Sequence, residues 1–315
     1  MPDGYNAPAA SIVEEVLMGL SQPQKTLPAK FFYDAEGCRL FGKITRLPEY
    51  YVTRTEQALL QQVAPELPRM PGCALVEYGA SDESKAMMLL DHIGASAYVP
   101  VDIADSALQD LTQRLHTARP SLSVHPVAAD FLRPLALPHQ TSSQQRFGFF
   151  PGSTIGNLDH ATAHRFLVQV RETLGANARF LVGADLRKDS SILIPAYDDA
   201  QGVTAAFNLN LLSHLNREIG TDFELENFSH RAVWNDSEGR IEMHLVCAHR
   251  QTVSVGGTTI VFDGGETIHT ENSYKHTVPQ LRSMAERAGW RSEKVWTDPA
   301  ELFSIHLLAA DDVVN

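Results

Sequence analysis

The sequence predicts an α/β protein, with a doubly wound, mostly parallel sheet and a second, smaller α+β unit. Three observations carry this. From residue 73 to 186, short apolar runs alternate with stretches of helical period, the rhythm of consecutive βαβ units. Glycines and acidic residues close those runs, at the end of the strands where open parallel sheets bind ligands. Beyond residue 187 the rhythm changes to hairpin signals, which marks a separate unit.

Taken in order, SIVEEVLMGL (11–20) has the period of an amphipathic helix, and Pro23 and Pro28 break the chain after it. Aromatic residues and glycines then lead to a helix through TEQALLQQVAPEL. CALVEYG (73–79) and AYVPVDI (97–103) read as strands, each succeeded by a helix, ESKAMMLLDHIGA and SALQDLTQRLHTA. SVHPVAADF (123–131) reads as a strand ending in a loop. RFGFFPGS (146–153) precedes the helix ATAHRFLVQVRETL, and RFLVGADL (179–186) comes after it. A helix is expected over 203–220 and a hairpin over 232–250, turning at Asp236 to Gly239. Two further strands are expected in 251–270. A helix, VPQLRSMAERAGW, then leads to two strands, KVWTDP and FSIHLLAAD, at the sheet edge. The expected core is 65–187 plus 276–315. The second unit is 1–64 plus 188–275, with a cleft between them over the strands' carboxyl ends.

Composition narrows the function classes. Among 315 residues, 43% are hydrophobic, enough for a real core, and the formal charge is −12, a field that repels phosphate backbones and speaks against nucleic acid. Cys38, Cys73 and Cys247 are too few and too scattered for a disulfide scaffold and suit a reducing compartment. The N-terminus lacks the pattern of a signal peptide, and no apolar run reaches the ~20 residues of a membrane span. A cytoplasmic protein with no membrane partner, acting as a monomer, is the expectation.

The expected strand ends carry Glu77 and Gly79, then Asp102, Asp130, Gly152 and Asp185. An acid closing the second strand can accept from two ribose hydroxyls, and one after the third can bind the amino group of an adenine. The first turn reads EYGASDESK and keeps only Gly79 where a dinucleotide fold shows three glycines, so a pyrophosphate cradle is weakly supported. A nucleoside ligand without phosphate needs none.

Longer stretches go beyond pattern. LPAKFFYDAEGCRLFGKITRLPEYYVTRTE (27–56), GSTIGN (152–157), PAYDDAQGVTAAFN (195–208), RIEMHL (240–245), TENSYK (270–275) and WTDP (296–299) together resemble the histidine-specific methyltransferase family, the histidine Nα-methyltransferases of ergothioneine biosynthesis. The resemblance implies a Rossmann-like class I methyltransferase core with a second α+β substrate-binding domain. It implies S-adenosylmethionine as methyl donor, no metal, and a small amino acid, histidine, as substrate. Gly79, Lys85, Asp102, Asp130 and Phe131 would contact the cofactor: Lys85 its methionine carboxylate, Asp102 its ribose, Asp130 and Phe131 its adenine. Tyr50, Asn157 and Tyr197 would hold the amino acid, and Glu271 and Ser273 would hydrogen-bond its imidazole. Tyr33, the candidate catalytic residue, and Phe41 would line the region of the amine, with Met243 beneath the ring. Two departures stand out: Ser81 replaces an expected glycine next to Asp82 and Glu83, and Asn272 stands where some relatives are apolar.

Methyl transfer from a sulfonium is an in-line displacement, for which a protein supplies orientation and desolvation rather than a strong base. The amine must bind or become neutral, with a tyrosine hydroxyl or water taking its proton. A trimethylated product would be a fixed cation that Tyr33, Phe41 and Tyr50 can stabilise by ~0.5–2 kcal/mol of cation–π attraction. His244 with His249, and His269 with His276, show no ligand set at metal spacing, and no G-x-S-x-G elbow occurs. Methylation of another amino acid, or cofactor binding without turnover, remain alternative readings; an NAD-dependent dehydrogenase is disfavoured by the missing glycines.

Overall fold

The computed structural model describes residues 9–80 and 83–310. Along the chain come α1 (Ala9–Leu20), β1 (Lys25–Thr26), α2 (Ala35–Ile44), α3 (Tyr51–Val63), β2 (Ala74–Tyr78), α4 (Ser84–Ile93), β3 (Ala97–Asp102) and α5 (Asp105–Ala118). Next are β4 (Ser123–Val124), β5 (Val127–Ala128), β6 (Arg146–Phe150), α6 (His160–Leu174), β7 (Arg179–Asp185), α7 (Ser190–Tyr197) and α8 (Val203–Ile219). The chain closes with β8 (Phe228–Asn235), β9 (Arg240–Cys247), β10 (Gln251–Val255), β11 (Thr258–Phe262), β12 (Thr267–Tyr274), α9 (Val278–Arg287), β13 (Trp290–Thr297) and β14 (Phe303–Ala310). Two compact units result, 1–51 with 188–273 and 52–187 with 274–315. The sequence boundary near residue 64 thus moves to Tyr51, because Glu56 of α3 bonds to Lys85 and Gly152 of the second of these units.

That unit is built on one sheet in the order β13-β14-β7-β6-β2-β3-β4, with β5 also paired to β3. β2 pairs in parallel with β3 on one side and β6 on the other, and β6 with β7. β14 and β13 add antiparallel to β7. Every residue of β2 is buried, which is why its sequence reads as a continuous apolar run rather than an alternation. The charge within that run, Glu77, accepts a hydrogen bond from the Tyr98 hydroxyl of β3. The expected strand 123–131 survives only as β4 and β5, interrupted where Pro126 withholds a donor. α6 begins at Asp159, whose carboxylate accepts from Thr162 N at 2.8 Å, and α9 opens with a Thr277–Gln280 capping box.

In the other unit, β8 and β9 form the expected hairpin, and β12 and β1 complete a sheet in the order β1-β12-β9-β8, while β10 and β11 pair separately. Most of TENSYK lies in β12, so Glu271 stands on a strand. α2 and α7 were not visible as helices in the sequence. α2 owes its start to Asp34, a buried N-cap whose carboxylate accepts from Gly37 N at 2.7 Å, from Asn210 Nδ2 of α8 at 2.7 Å, and from Arg217. A Cβ on Gly37 would sit 1.6 Å from the Phe32 carbonyl oxygen, so only glycine fits. Among the described residues, no helix is long and apolar enough to cross a membrane.

These cores can be tested in two ways. Asp34→Ala leaves three donors on two helices unpaired and is expected to cost about 3 kcal/mol in denaturant unfolding; a loss near zero would show that the hub holds nothing. His276 and His306 are buried in the parallel-sheet unit, and burial, with repulsion from neighbouring cations, pushes them down to about 4 and about 3 from 6.5. Because the folded state favours their neutral forms, their contribution is complete above pH 6.5 and is lost as pH falls toward those values. Unfolding at about pH 5 should therefore show up to about 2 kcal/mol less stability per histidine than at about pH 7.5. Replacing both by phenylalanine or leucine should flatten that slope.

Candidate active site

The strand order reverses between β2 and β6, and such switch points open a crevice at the carboxyl ends of the two strands. Gly79 comes directly after β2 with φ +76°, a conformation that costs glycine nothing. Its N–H and that of Ala80 both reach the Val101 carbonyl, at 2.8 and 3.2 Å, which fixes the turn against the end of β3. A Cβ on Gly79 would meet the Phe131 ring at 3.7 Å. Asp102 is the last residue of β3; its Oδ1 accepts from Ala104 N at 2.9 Å and its carbonyl from Ala129 N at 2.9 Å. Burial raises the Asp102 carboxyl above the ordinary value, against the lowering effect of backbone donors at Ala104 and Ile103. Asp130 accepts from Leu132 N at 2.9 Å, and Phe131 packs edge-on to Phe150 and Phe166, 5.6 Å between centroids in each case. Gly79, Asp102, Asp130 and Phe131 are thus gathered at one end of the sheet. Lys85, in the first turn of α4, donates to Glu56 Oε2 at 2.5 Å. Asn157 ends the 3₁₀ turn Thr154–Asn157, where a Cβ on Gly156 would stand 2.7 Å from the Tyr274 carbonyl oxygen.

The other sequence-marked residues all lie in the first unit, 1–51 with 188–273. Tyr33 meets Phe41 at 6.0 Å between centroids, Phe41 meets Tyr50 at 6.5 Å, and Tyr50 meets Tyr197 at 6.1 Å, each edge to face. The run ends on a hydroxyl pair, Tyr197 Oη and Ser273 Oγ at 2.8 Å. Glu271 is half-buried two residues before Ser273 on β12. Met243 is buried on β9, and its carbonyl accepts from Thr270 Oγ1 at 3.1 Å. Phe207 of α8, unmarked by the sequence reading although it sits inside the PAYDDAQGVTAAFN stretch, touches both Tyr33 (5.9 Å) and Phe41 (6.1 Å).

Of the departures, Ser81 and Asp82 lie outside the described residues. Glu83 is described, and its charge is taken up by Arg114 at 2.9 and 2.7 Å. Asn272 Oδ1 is buried without a hydrogen-bond partner among the described residues.

One correction concerns the histidines. Strand pairing brings donor atoms of Glu242, His244 and His269 within 4.8 Å of one another, a grouping that neither histidine spacing in the sequence revealed. Burial alone would raise the Glu242 carboxyl, but hydrogen bonds from Asn235, Arg240 and His244 hold it down to about 2. Burial lowers both histidines, whose rings stack 4.7 Å apart between centroids. Arg240 and Asn235 take up Glu242 Oε1, and His244 Nε2 lies 3.1 Å from Oε2.

A doubly wound sheet with one glycine in its first turn and acids closing the next strand ends defines a class I methyltransferase fold. A solved structure, the mitomycin 7-O-methyltransferase MmcR, shares it with a TM-score of 0.52 at 13% identity, over 96% of this chain and 69% of that one. The chain belongs to the histidine-specific, SAM-dependent methyltransferase family, whose model matches residues 12–310. It is 39% identical over 307 residues to the histidine N-alpha-methyltransferase of Mycolicibacterium smegmatis, covering 95% of each chain. The protein of the same name from Mycobacterium tuberculosis is 38% identical over 316 residues, with 97% of each covered. The chain is therefore an enzyme, and S-adenosylmethionine is its methyl donor.

The Tyr197–Ser273 contact is directly testable. Tyr197→Phe and Ser273→Ala each remove the same hydrogen bond, so a double-mutant cycle in denaturant should give a coupling of about 1 kcal/mol. Full additivity would mean the two hydroxyls do not meet.

Proposed function

We propose that this enzyme methylates the α-amino nitrogen of L-histidine, carrying the product as far as the trimethylated betaine. The observation that carries the reading is the aromatic run from Tyr33 through Phe41 and Tyr50 to Tyr197, ending on Ser273 close in sequence to Glu271. It supplies aromatic faces for an amine that becomes a fixed cation, beside a hydroxyl and a carboxylate suited to an imidazole.

The cofactor fits the residues present. Gly79 leaves its turn without a side chain, and the Asp102 carboxylate, which accepts from backbone donors at Ala104 and Ile103, closes the next strand. In this reading Gly79, Lys85, Asp102, Asp130 and Phe131 hold S-adenosylmethionine, which when bound supplies an electrophilic methyl group on a sulfonium. Tyr50, Asn157 and Tyr197 hold the amino-acid end of histidine. Glu271 and Ser273 grip the ring's nitrogens, and Met243 packs beneath it. Tyr33 and Phe41 line the amine, with the Tyr33 hydroxyl accepting a hydrogen bond from it while its proton leaves to solvent water. An apolar side chain in place of the imidazole would offer the Glu271 carboxylate no hydrogen bond, which disfavours such amino acids. The rings of Tyr33, Phe41 and Tyr50 attract the growing cation without needing a charged base. A cytoplasmic setting is supported by the three cysteines, Cys38, Cys73 and Cys247, all free thiols.

Incubating the purified enzyme with S-adenosylmethionine and each common amino acid, with mass spectrometry as readout, should give methyl additions on histidine, ending at three. Absence of any gain on histidine, with gain on another amino acid, would overturn the substrate assignment. Glu271→Ala should weaken histidine binding on the order of a hundredfold while leaving cofactor affinity unchanged. Calorimetry showing wild-type histidine affinity in that variant would refute the role of Glu271.

A further inference from the structure

Glu56 closes the YYVTRTE stretch, and its residue type and position in the sequence give it no evident task. Its side chain has 0% exposure, where an isolated carboxylate would cost several kcal/mol. The Gly152 N–H donates to it at 2.8 Å (Oε1) and 3.0 Å (Oε2), and Lys85 Nζ donates to Oε2 at 2.5 Å. Room for it is kept by Gly183 of β7, where a Cβ would stand 2.3 Å from Oε1. Gly152 has φ +77° just after β6, and a Cβ there would be 3.7 Å from Lys85 Nζ. One buried anion on α3 therefore ties the first turn of α4 to the loop after β6, the two segments that flank the switch point.

We propose that Glu56 is a positioning residue for the amino-acid end of the cofactor, acting through Lys85 and the Gly152 loop. This rests on the family's cofactor and on the assignment of Lys85 to the methionine carboxylate. Lys85 is only 15% exposed, and the bond to Glu56 fixes where its ammonium stands. An ammonium carries three donors, so one bond to Glu56 leaves capacity for a ligand carboxylate. The pair is also neutral as a whole. A bare lysine favours any anion, whereas a lysine–glutamate pair favours a zwitterion, whose ammonium gains from the field of Glu56 while its carboxylate meets Lys85. The methionine end of the cofactor is such a zwitterion.

The test compares two nucleosides by calorimetry: S-adenosylhomocysteine, which has the amino-acid end, and 5′-methylthioadenosine, which lacks it. Glu56→Gln keeps the size and an acceptor for Gly152 N–H but removes the charge. It should weaken S-adenosylhomocysteine by about tenfold or more and leave 5′-methylthioadenosine within about twofold. In a Lys85→Met background, Glu56→Gln should add little further loss. Equal weakening of both nucleosides, as a general loss of structure would give, overturns the proposal, and so does unchanged S-adenosylhomocysteine affinity. Should Glu56→Gln not fold, Glu56→Asp draws the charge back by one methylene and must show the same selective loss, or the proposal fails. If wild-type protein binds neither nucleoside, the cofactor reading itself is wrong, an outcome distinct from a failure at Glu56.

Discussion

The parallel pairing of β2 with β3 on one side and β6 on the other is the constraint on which the carboxyl end of the sheet depends. Parallel strands must be covered on both faces, so β2 is buried throughout and cannot carry ligand-binding side chains along its length. Binding groups are pushed to where the strands stop. Gly79, Asp102 and the Asp130–Phe131 turn sit there, joined by backbone bonds from Gly79 and Ala80 to Val101 and from Ala129 to Asp102. The buried Glu56 adds the missing tie across the switch point, from Lys85 to Gly152.

The other unit solves a different problem, holding aromatic residues from distant stretches in one contiguous run. Asp34 is its anchor, since it starts α2 and also takes Asn210 and Arg217 from α8. With α2 fixed on α8, Phe41 and Tyr33 meet Phe207, and Phe32 stacks on the same ring at 4.6 Å. Edge-to-face contacts between rings are individually weak but directional, and a chain of them resists rotamer changes.

Much of this was legible in the chain. The βαβ rhythm named the parallel sheet because fully buried strands and amphipathic helices have different periods. The hairpin at Asp236–Gly239 announced itself by its turn residues. Tyr33, Phe41, Tyr50, Tyr197 and Ser273 could be singled out only because long ordered motifs contain them; nothing in their local pattern separates such residues from packing aromatics. α2 escaped notice because its cap, Asp34, draws its strength from Asn210 and Arg217, far away in sequence. That Glu271 stands on a strand came only with the pairing of β12.

The sequence by itself determined the fold class, the family and the chemistry of the donor, because periodicity and contiguous motifs are local properties of a chain. Only the tertiary structure decided which charges are paired. Glu56 is the counter-ion of Lys85 across 29 positions, and Glu242, His244 and His269 come together only through strand pairing. Desolvation and Coulomb attraction depend on distance in space and on exclusion of water, and neither is written in the order of residues.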